Sequence, residues 1–384
     1  MQSKRFLKSL NLKIIFINSF ILFLLLSLIE LTLGKYFRVH SSVSEIPFLY
    51  YGKDFSWKLD GLYERDKEKG DLIRYKRDLD GYRSFSRNKN KKIILTIGGS
   101  TTDQTFISEG ETWQDYLDKF YSEYDFVNGG VDGLSSYGHL FSMQKWYPET
   151  LKGFKVSKII FYIGINDQNI MIGGFKNNNF FKDTKKQKFI RYLRARSYFL
   201  NKAYFIKRSW NSRKYFNNKN NDIGEYVSDI IGHKKRTRDL VQEGIISEFT
   251  FANNLFAKKY RNLIEELLVT SLKKFPNSEI IIVQQQIPGC EFINEFKVVN
   301  KYPYFNERYH EHLNNKQLNV CELFGQTQLE ISEAVKPFLL VNSKVKILPM
   351  YLEEILDQND VYDNIHTNPN GNLKIADYLR NNIK

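Results

Sequence analysis

The sequence predicts an α/β domain with a parallel sheet, preceded by one membrane-spanning helix. Four short runs of apolar, largely β-branched residues have the composition of strands buried in a parallel sheet. They are residues 92–97, 126–131, 158–163 and 279–283. Helical patterns lie between these runs, at residues 112–120, 137–146 and 248–274. Alternation of this kind predicts a doubly wound α/β domain.

The helix is predicted at residues 14–34, which are almost wholly apolar. About 20 helical residues cover the roughly 30 Å hydrocarbon core of a bilayer. A cleaved signal peptide is the alternative, but the run is longer than the usual apolar region of a signal peptide and no small-x-small cleavage site follows it. By the positive-inside rule, the basic residues before the run keep residues 1–13 in the cytoplasm and place the remainder outside. These residues are Lys4, Arg5, Lys8 and Lys13. We therefore expect a single-pass protein of the cell membrane.

Residues 35–90 are polar, charged and rich in Tyr and Phe, which predicts a juxtamembrane stalk. Turn residues at 79–82 (Leu-Asp-Gly-Tyr) suggest one hairpin within it. Residues 91–384 then form the predicted α/β domain. With 42% hydrophobic residues and only 8 prolines among 384 residues, the chain has the composition of a globular protein.

Polar and glycine-rich motifs follow the first three predicted strands. Gly-Gly-Ser-Thr-Thr occupies 98–102, Asn-Gly-Gly-Val-Asp-Gly occupies 128–133, and Gly-Ile-Asn-Asp occupies 164–167. In a doubly wound sheet, reactive groups collect at the carboxyl ends of the strands. A fourth motif, Asp-Asn-Ile-His at 363–366, precedes an expected final helix that begins at Asn368 and Pro369. The motifs should therefore meet at one edge of the sheet.

These motifs contain the groups that serine-dependent ester cleavage requires. Ser100 is the candidate nucleophile, His366 the base that takes its proton, and Asp363 the acid that orients the imidazole. The backbone N–H groups of Ser100 and Gly133 and the side-chain amide of Asn166 are candidates for an oxyanion hole. Gly133 suits this role because a backbone donor that approaches the substrate closely leaves no room for a Cβ.

The order and spacing of these motifs resemble the SGNH, or GDSL-like, hydrolase family. Residues 98–102, 128–133, 164–167 and 363–366 correspond to its first, second, third and fifth blocks. The resemblance covers roughly residues 74–384, including an Asp-Gly-Tyr-Arg run at 80–83 like that of membrane-anchored surface-polysaccharide members. Gly99 stands where the GDSL form has Asp. The resemblance implies a flavodoxin-like three-layer α/β/α fold, no cofactor, and hydrolysis of O-acyl esters, often acetyl groups on carbohydrates.

Several residues have more than one interpretation. Asp360 is an alternative to Asp363, but its spacing to His366 fits the motif less well, and Asp167 is expected to support its loop. His310 and His312 could be metal ligands, although an exposed helix face is the better interpretation. With 6 His and 2 Cys and no close cluster of them, we expect no metal. The two cysteines, 290 and 321, could form a disulfide outside the cytoplasm or remain buried thiols.

The net charge of +14 is concentrated in an insertion at about residues 168–247. Residues 175–222 contain 14 basic residues against Asp183 and Asp222, an excess of about +12, with aromatic residues interleaved. This mixture suits anionic lipid surfaces or anionic glycans. A solvated basic face is the alternative, and nucleic acid is not expected outside the cytoplasm.

The predicted function is an extracytoplasmic O-acyl esterase whose substrate is an acylated carbohydrate or another ester. An O-acyltransferase with the same acyl-serine intermediate remains open, because only the acceptor differs. A catalytically silent glycan-binding or assembly protein on the same fold is a further alternative. The presence of the serine, the asparagine and the aspartate–histidine pair argues against it. Lipase and thioesterase activities also remain open.

Overall fold

The computed structural model describes residues 2–36, 46, 49, 53–59, 71–171, 173, 184–204, 206–207, 244–252, 254–301 and 320–383. In this part of the chain the strands are β1 (Lys53–Leu59), β2 (Asp71–Arg77), β3 (Lys92–Gly98), β4 (Tyr124–Asn128), β5 (Val156–Ile163), β6 (Ile245–Glu248), β7 (Glu279–Gln284), β8 (Cys290–Asn294), β9 (Lys297–Asn300) and β10 (Val345–Leu348). The helices are α1 (Gln2–Leu33), α2 (Ser100–Asp103), α3 (Trp113–Phe120), α4 (Ser136–Lys145), α5 (Tyr147–Thr150), α6 (Gln168–Met171), α7 (Lys185–Arg196), α8 (Leu255–Lys274), α9 (Val320–Val341) and α10 (Pro369–Asn382).

The central sheet has five parallel strands in the order β10-β7-β5-β3-β4. Counted along the chain, this is the 2-1-3-4-5 order of flavodoxin-like folds. The strands are buried because they consist almost wholly of apolar residues, as the sequence predicted. Since β3 lies between β4 and β5, the loops that follow these three strands share one edge of the sheet.

Helices cover both faces of this sheet. On one face α3 and α10 pack together, and Trp113, Leu117, Ile375 and Leu379 join a buried core with residues of β3, β5 and β7. On the other face α8 packs against α4 and α9. Helix starts are fixed locally: the Thr112 hydroxyl accepts the Asp115 N–H at 3.1 Å at the start of α3. The predicted three-layer α/β/α fold is therefore confirmed.

Most of the predicted elements are present with shifted ends. The second predicted strand ends early, at Asn128, although the N–H groups of Gly129 and Val131 still donate to the Thr96 and Gly98 carbonyls of β3, at 2.9 and 3.0 Å. The strand β10 was not predicted. It has only four residues, of which three are partly exposed, so its hydrophobic signal is weak. The helix predicted from residue 248 begins at Leu255, where the Asn254 side chain accepts the Ala257 N–H.

The structure divides the chain into two compact units at boundaries that the sequence did not predict. The smaller comprises Met1–Glu45 and Asp183–Asn220, and the larger comprises Ile46–Lys182 and Asn221–Lys384. The predicted stalk boundary at residue 90 thus does not coincide with a boundary between units. Much of the predicted stalk belongs to the larger unit, where Tyr75, Arg77 and Arg83 are buried. The hairpin is also earlier than predicted: β1 pairs with β2, and the 79–82 turn follows β2.

A smaller antiparallel sheet, β6-β9-β8, lies beside α9 in the larger unit. Cys290 at the start of β8 and Cys321 in α9 form a disulfide, with their Cα atoms 5.3 Å apart. Of the two alternatives that the sequence left open for these cysteines, the structure therefore has the disulfide. Phe292, Phe324 and Tyr351 pack around it in a second apolar core.

In the smaller unit, residues 13–33 of α1 form a helical stretch long and apolar enough to cross a membrane. Its apolar side chains are exposed, in contrast to the buried helices of the larger unit. Length and composition would also suit a signal sequence, and they leave the orientation of the helix open.

Candidate active site

Ser100 lies at the turn between the central strand β3 and the short helix α2. The strand ends at Gly98 and the helix begins at Ser100, with Gly99 as the N-cap residue. A Cβ at Gly98 would collide with the Thr102 side chain and the Tyr162 carbonyl, so only glycine allows this close approach. The turn presents Ser100, which is partly exposed, at the carboxyl end of the strand.

Ser100, His366 and Asp363 form a continuous chain of hydrogen bonds. The Oγ of Ser100 lies 2.8 Å from Nε2 of His366. On the other side of the ring, Nδ1 of His366 lies 2.7 Å from Oδ2 of Asp363. With a proton on Nδ1 donated to the carboxylate, Nε2 is free to accept the serine proton. The three residues that the sequence singled out are therefore brought together in the geometry of a nucleophile, a base and an orienting acid.

Hydrogen bonds between the Asp363 side chain and the backbone hold the loop that carries the histidine. The Oδ1 atom of Asp363 accepts the N–H groups of Ile365 and His366 at 2.9 and 2.7 Å. The ring of Tyr362 stacks on that of His366, with centroids 5.7 Å apart. Asp363 is buried, whereas His366 is partly exposed. The acid is thus fixed and shielded from water, whereas the imidazole is partly accessible to it.

The end of this loop is fixed to the start of α10. The Asn368 side chain accepts the N–H groups of Asn370 and Gly371, as predicted for the cap of the final helix. The Asn368 N–H donates to the carbonyl of Asp360 at 2.8 Å. The histidine therefore lies between two anchored points of the chain, which limits its rotation.

The three predicted oxyanion donors follow three adjacent strands. Ser100 is the first residue of α2, so its N–H has no partner within that helix. The Nδ2 of Asn166 donates to the Leu134 carbonyl at 2.9 Å and lies against Gly99. An amide nitrogen has a second proton, which remains for a ligand. Asn166 is therefore next to the nucleophile, as the motif predicts.

The backbone conformation of Gly133 gives a reason for glycine in addition to the close approach of substrate that was predicted from the sequence. Its φ is +74°, a value that favours glycine, and a Cβ built there would meet no protein atom within 4 Å. Gly133 is exposed and immediately precedes Leu134, whose carbonyl holds Asn166. The backbone conformation, rather than crowding by the protein, thus explains glycine at this position.

Asp167 supports its loop, as predicted. Its buried carboxylate accepts the N–H and hydroxyl of Ser136 at 2.7 and 2.8 Å and the hydroxyl of Tyr260 at 2.9 Å. Burial raises the pKa of Asp167, and these hydrogen bonds oppose that rise. The carboxylate ties the loop after β5 to α4 and α8, and so fixes the neighbouring Asn166.

Asp360, the alternative orienting acid, forms its hydrogen bonds with groups other than His366. Its Oδ2 atom binds the Lys374 ammonium at 2.6 Å and the Asp357 N–H at 2.8 Å. The hydrogen bond to His366 comes from Asp363, in agreement with the spacing argument. His310 and His312 lie outside the described residues. Within those residues, no group of three or more His, Cys, Asp or Glu side chains could hold a metal ion.

Two buried arginines that contact the helix of the nucleophile were not predicted from the sequence. Arg77 binds Oδ1 of Asp103 at 2.7 Å and also donates to the Gly130 carbonyl. Arg83 donates to the carbonyls of Asp103 and Gln104, at 2.7 and 2.6 Å. Both arginines therefore hold the helix that begins at the nucleophile. The Asp-Gly-Tyr-Arg run at 80–83 contains Arg83 and could have indicated that this segment belongs to the α/β domain. The charged composition of the segment predicted an exposed stalk instead.

No protein-family model matches the chain, and comparison with curated proteins also gave no match. Among solved structures, similarity was found to a protein assigned as a GDSL-like lipase from Bacteroides ovatus, with 14% identity and a TM-score of 0.39. The match covers 82% of this chain but only 56% of that one.

Two further structures illustrate the range of similar proteins. A member of the lipolytic G-D-S-L family from Veillonella parvula has 12% identity and a TM-score of 0.36, with 76% of this chain and 97% of that chain covered. Salicylyl-acyltransferase SsfX3, from a tetracycline biosynthetic pathway, has 10% identity and a TM-score of 0.39, with 82% and 57% covered. The function proposed below therefore depends on the geometry of this chain's own residues.

Proposed function

We propose that the chain is a serine esterase of the SGNH kind, which cleaves O-acyl esters through an acyl-serine intermediate on Ser100. The observation that carries the proposal is the chain of hydrogen bonds from Ser100 through His366 to the buried Asp363. Serine alone is a weak nucleophile, and a base within hydrogen-bond distance, itself oriented by a third group, is what activates it. Here both hydrogen bonds are shorter than 3 Å.

The proposed reaction has two halves. The Oγ of Ser100 attacks the ester carbonyl while Nε2 of His366 takes its proton, and the negative charge develops on the carbonyl oxygen near the N–H of Ser100 and the amide of Asn166. His366 then returns the proton to the departing alkoxide, which leaves an acyl group on the serine. In the second half, His366 takes a proton from water while the water oxygen attacks the acyl carbon. The bond between the acyl carbon and Oγ of Ser100 then breaks, and His366 returns the proton to Oγ.

The finer function that we propose is hydrolysis of O-acetyl groups on a surface polysaccharide, outside the cytoplasm. It is supported by the apolar helix near the N-terminus, by the basic residues before it, and by the resemblance of the motifs to membrane-anchored members of the family. Transfer of the acyl group to a sugar hydroxyl would use the same residues. Product analysis with and without an acceptor sugar separates the two reactions.

The nucleophile is tested with the full chain in detergent, p-nitrophenyl acetate and longer esters, and a serine-directed phosphonate. Ser100→Ala should lower turnover by several orders of magnitude and abolish phosphonate labelling, because no other group replaces the attacking oxygen. His366→Ala should have a similar effect. Undiminished turnover by folded Ser100→Ala protein, or a phosphonate label on another residue, would contradict the proposal.

The orienting acid is tested with a matched pair of aspartates from the same loop. Asp363→Asn should reduce kcat on the order of 10⁴-fold, because an amide favours the wrong imidazole tautomer. Asp360→Asn, which also removes a buried carboxylate, should leave the turnover of folded protein nearly unchanged, since Asp360 binds Lys374. If the two variants exchanged their effects, the assigned acid would be wrong.

A further inference from the structure

A short basic segment contacts the end of the apolar helix within the smaller unit. We define the basic segment as residues 184–207, which begin at the cap of α7 and continue into a second helical stretch. The N–H of Lys35 donates to the Arg196 carbonyl at 2.7 Å. The N–H of Phe199 donates to the carboxylate of Glu30, close to the end of α1, at 3.1 Å. The basic segment is thus attached where the apolar stretch of α1 ends.

The basic segment exposes an unusual number of large apolar side chains. They are Phe189, Ile190, Tyr192, Phe199, Leu200, Tyr204 and Ile206, with exposed fractions between 37% and 64%. Soluble proteins rarely expose apolar side chains in such a concentration unless the surface has a partner. The apolar side chains of α1, to which the segment is attached, are exposed in the same way. A single apolar environment would cover the exposed apolar side chains of the basic segment and those of α1.

All the charged side chains of the basic segment are positive. Residues 184–207 contain eight Lys and Arg residues and no Asp or Glu, which gives a formal charge of +8. Two of the arginines stack on aromatic rings: Arg194 lies 3.9 Å from the centroid of Tyr204, and Arg196 lies 3.8 Å from that of Tyr192. Cations interleaved with aromatic and aliphatic side chains are typical of helices that lie in the interfacial plane of an anionic bilayer.

We propose that the basic segment docks on the membrane surface at the end of α1 and binds anionic lipid headgroups. Its cations would contact the headgroups, while residues such as Ile190, Leu200 and Ile206 would enter the boundary with the acyl chains. A hydrated acidic polysaccharide would satisfy the cations but leave these aliphatic side chains in water. The lipid surface accounts for both features, and this role is independent of the esterase activity.

The proposal is tested by placing a fluorescent probe on the full-length chain in lipid vesicles. The chain has two cysteines, both in the Cys290–Cys321 disulfide, so a cysteine introduced as Ile206→Cys provides a single site for labelling. Phe189→Cys provides a second, independent position. Quenching by lipids with a nitroxide near the headgroup reports contact with the bilayer. Quenching by acrylamide reports exposure to water, and acrylamide is neutral, so the positive field of the segment does not bias it.

Charge is tested with two variants that each replace four exposed lysines by glutamine. The first changes Lys185, Lys186, Lys202 and Lys207 in the basic segment, and the matched control changes Lys258, Lys259, Lys273 and Lys274 in α8. Each lysine near an anionic surface strengthens docking roughly fivefold. The first variant should therefore need much more phosphatidylglycerol for half-maximal lipid quenching, and the control should behave like the unaltered chain.

With phosphatidylglycerol present, both probes should be quenched by the nitroxide lipid and protected from acrylamide. Both effects should weaken in vesicles of phosphatidylcholine alone and when salt is raised from about 50 to 500 mM. The proposal is overturned if neither probe is quenched by lipid, or if the four-lysine variant docks as well as its control. Protection from acrylamide that requires an added acidic polysaccharide would identify a glycan as the partner instead.

Discussion

Replacement of Arg77 should destabilise the protein far more than replacement of the nearby Arg87. Arg77 is 2% exposed and binds the carboxylate of Asp103, which is equally buried. It also donates to the carbonyls of Gly81 and Gly130. Arg77→Met fills most of the side-chain volume but leaves Asp103 without its cation and removes a donor from each carbonyl.

Removing one partner of a buried ion pair typically costs about 3–5 kcal/mol, because the remaining charge stays buried without compensation. We expect Arg77→Met to lower the free energy of unfolding by this amount. Arg87 also pairs with aspartates, Asp78 and Asp80, but its side chain is 38% exposed and water can replace it. Arg87→Met should therefore cost less than about 1 kcal/mol.

The assay is urea unfolding of the full chain in detergent, followed by tryptophan fluorescence, since Trp113 and Trp146 are fully buried in the larger unit. The double variant Arg77→Met, Asp103→Asn provides an internal check. It removes the uncompensated charge as well, so it should lose less stability than the sum of the two single changes. Equal small effects of Arg77→Met and Arg87→Met would show that the buried pair does not hold the nucleophile helix.

Three further predictions concern pH, the disulfide and topology. Burial raises the pKa of Asp118 from 3.8 to about 7, so the folded state binds more protons than the unfolded state between these values, and stability should fall as the pH rises from about 4 to about 7. Asp118→Asn should remove this fall, as measured by urea midpoints at pH 4.5 and pH 8. Reduction of the Cys290–Cys321 disulfide, which joins residues 31 apart, should cost about 3–4 kcal/mol of stability in the same unfolding assay. A reporter that is active only outside the cytoplasm should be active when fused after Lys384, and activity of a cytoplasmic reporter there would reverse the proposed orientation.

The parallel sheet and the meeting of Ser100 with His366 could be predicted because both depend on local signals. Apolar β-branched runs identify buried strands, and a doubly wound sheet brings the ends of those strands to one edge. The two residues are 266 positions apart, yet each lies in a short motif whose place in the fold follows from the strand or helix beside it. Side chains fixed by their immediate sequence neighbours were therefore placed correctly.

The buried arginines could not be predicted because their partners are distant in sequence. In β2, Ile73, Tyr75 and Arg77 are buried and the residues between them are exposed, which is an ordinary strand alternation. Arginine residues, however, are mostly exposed in folded proteins, so an arginine in the sequence predicts an exposed position. Only the contact between Arg77 and Asp103 shows that the charged residue belongs inside, so the segment was assigned to the stalk.

Gly99, which stands where the GDSL motif has aspartate, is part of how this chain positions Asn166. A Cβ at Gly99 would collide with the Nδ2 atom of Asn166, and it would also lie 3.1 Å from the Leu134 carbonyl that accepts the proton of that nitrogen. A side chain at position 99 is therefore compatible only with a different position of the amide. Because Gly99 precedes Ser100 directly, the absence of its side chain brings the amide against the turn that holds the nucleophile. Glycine at position 99 thus allows the amide of Asn166 to approach the turn that holds the serine more closely than a residue with a side chain would.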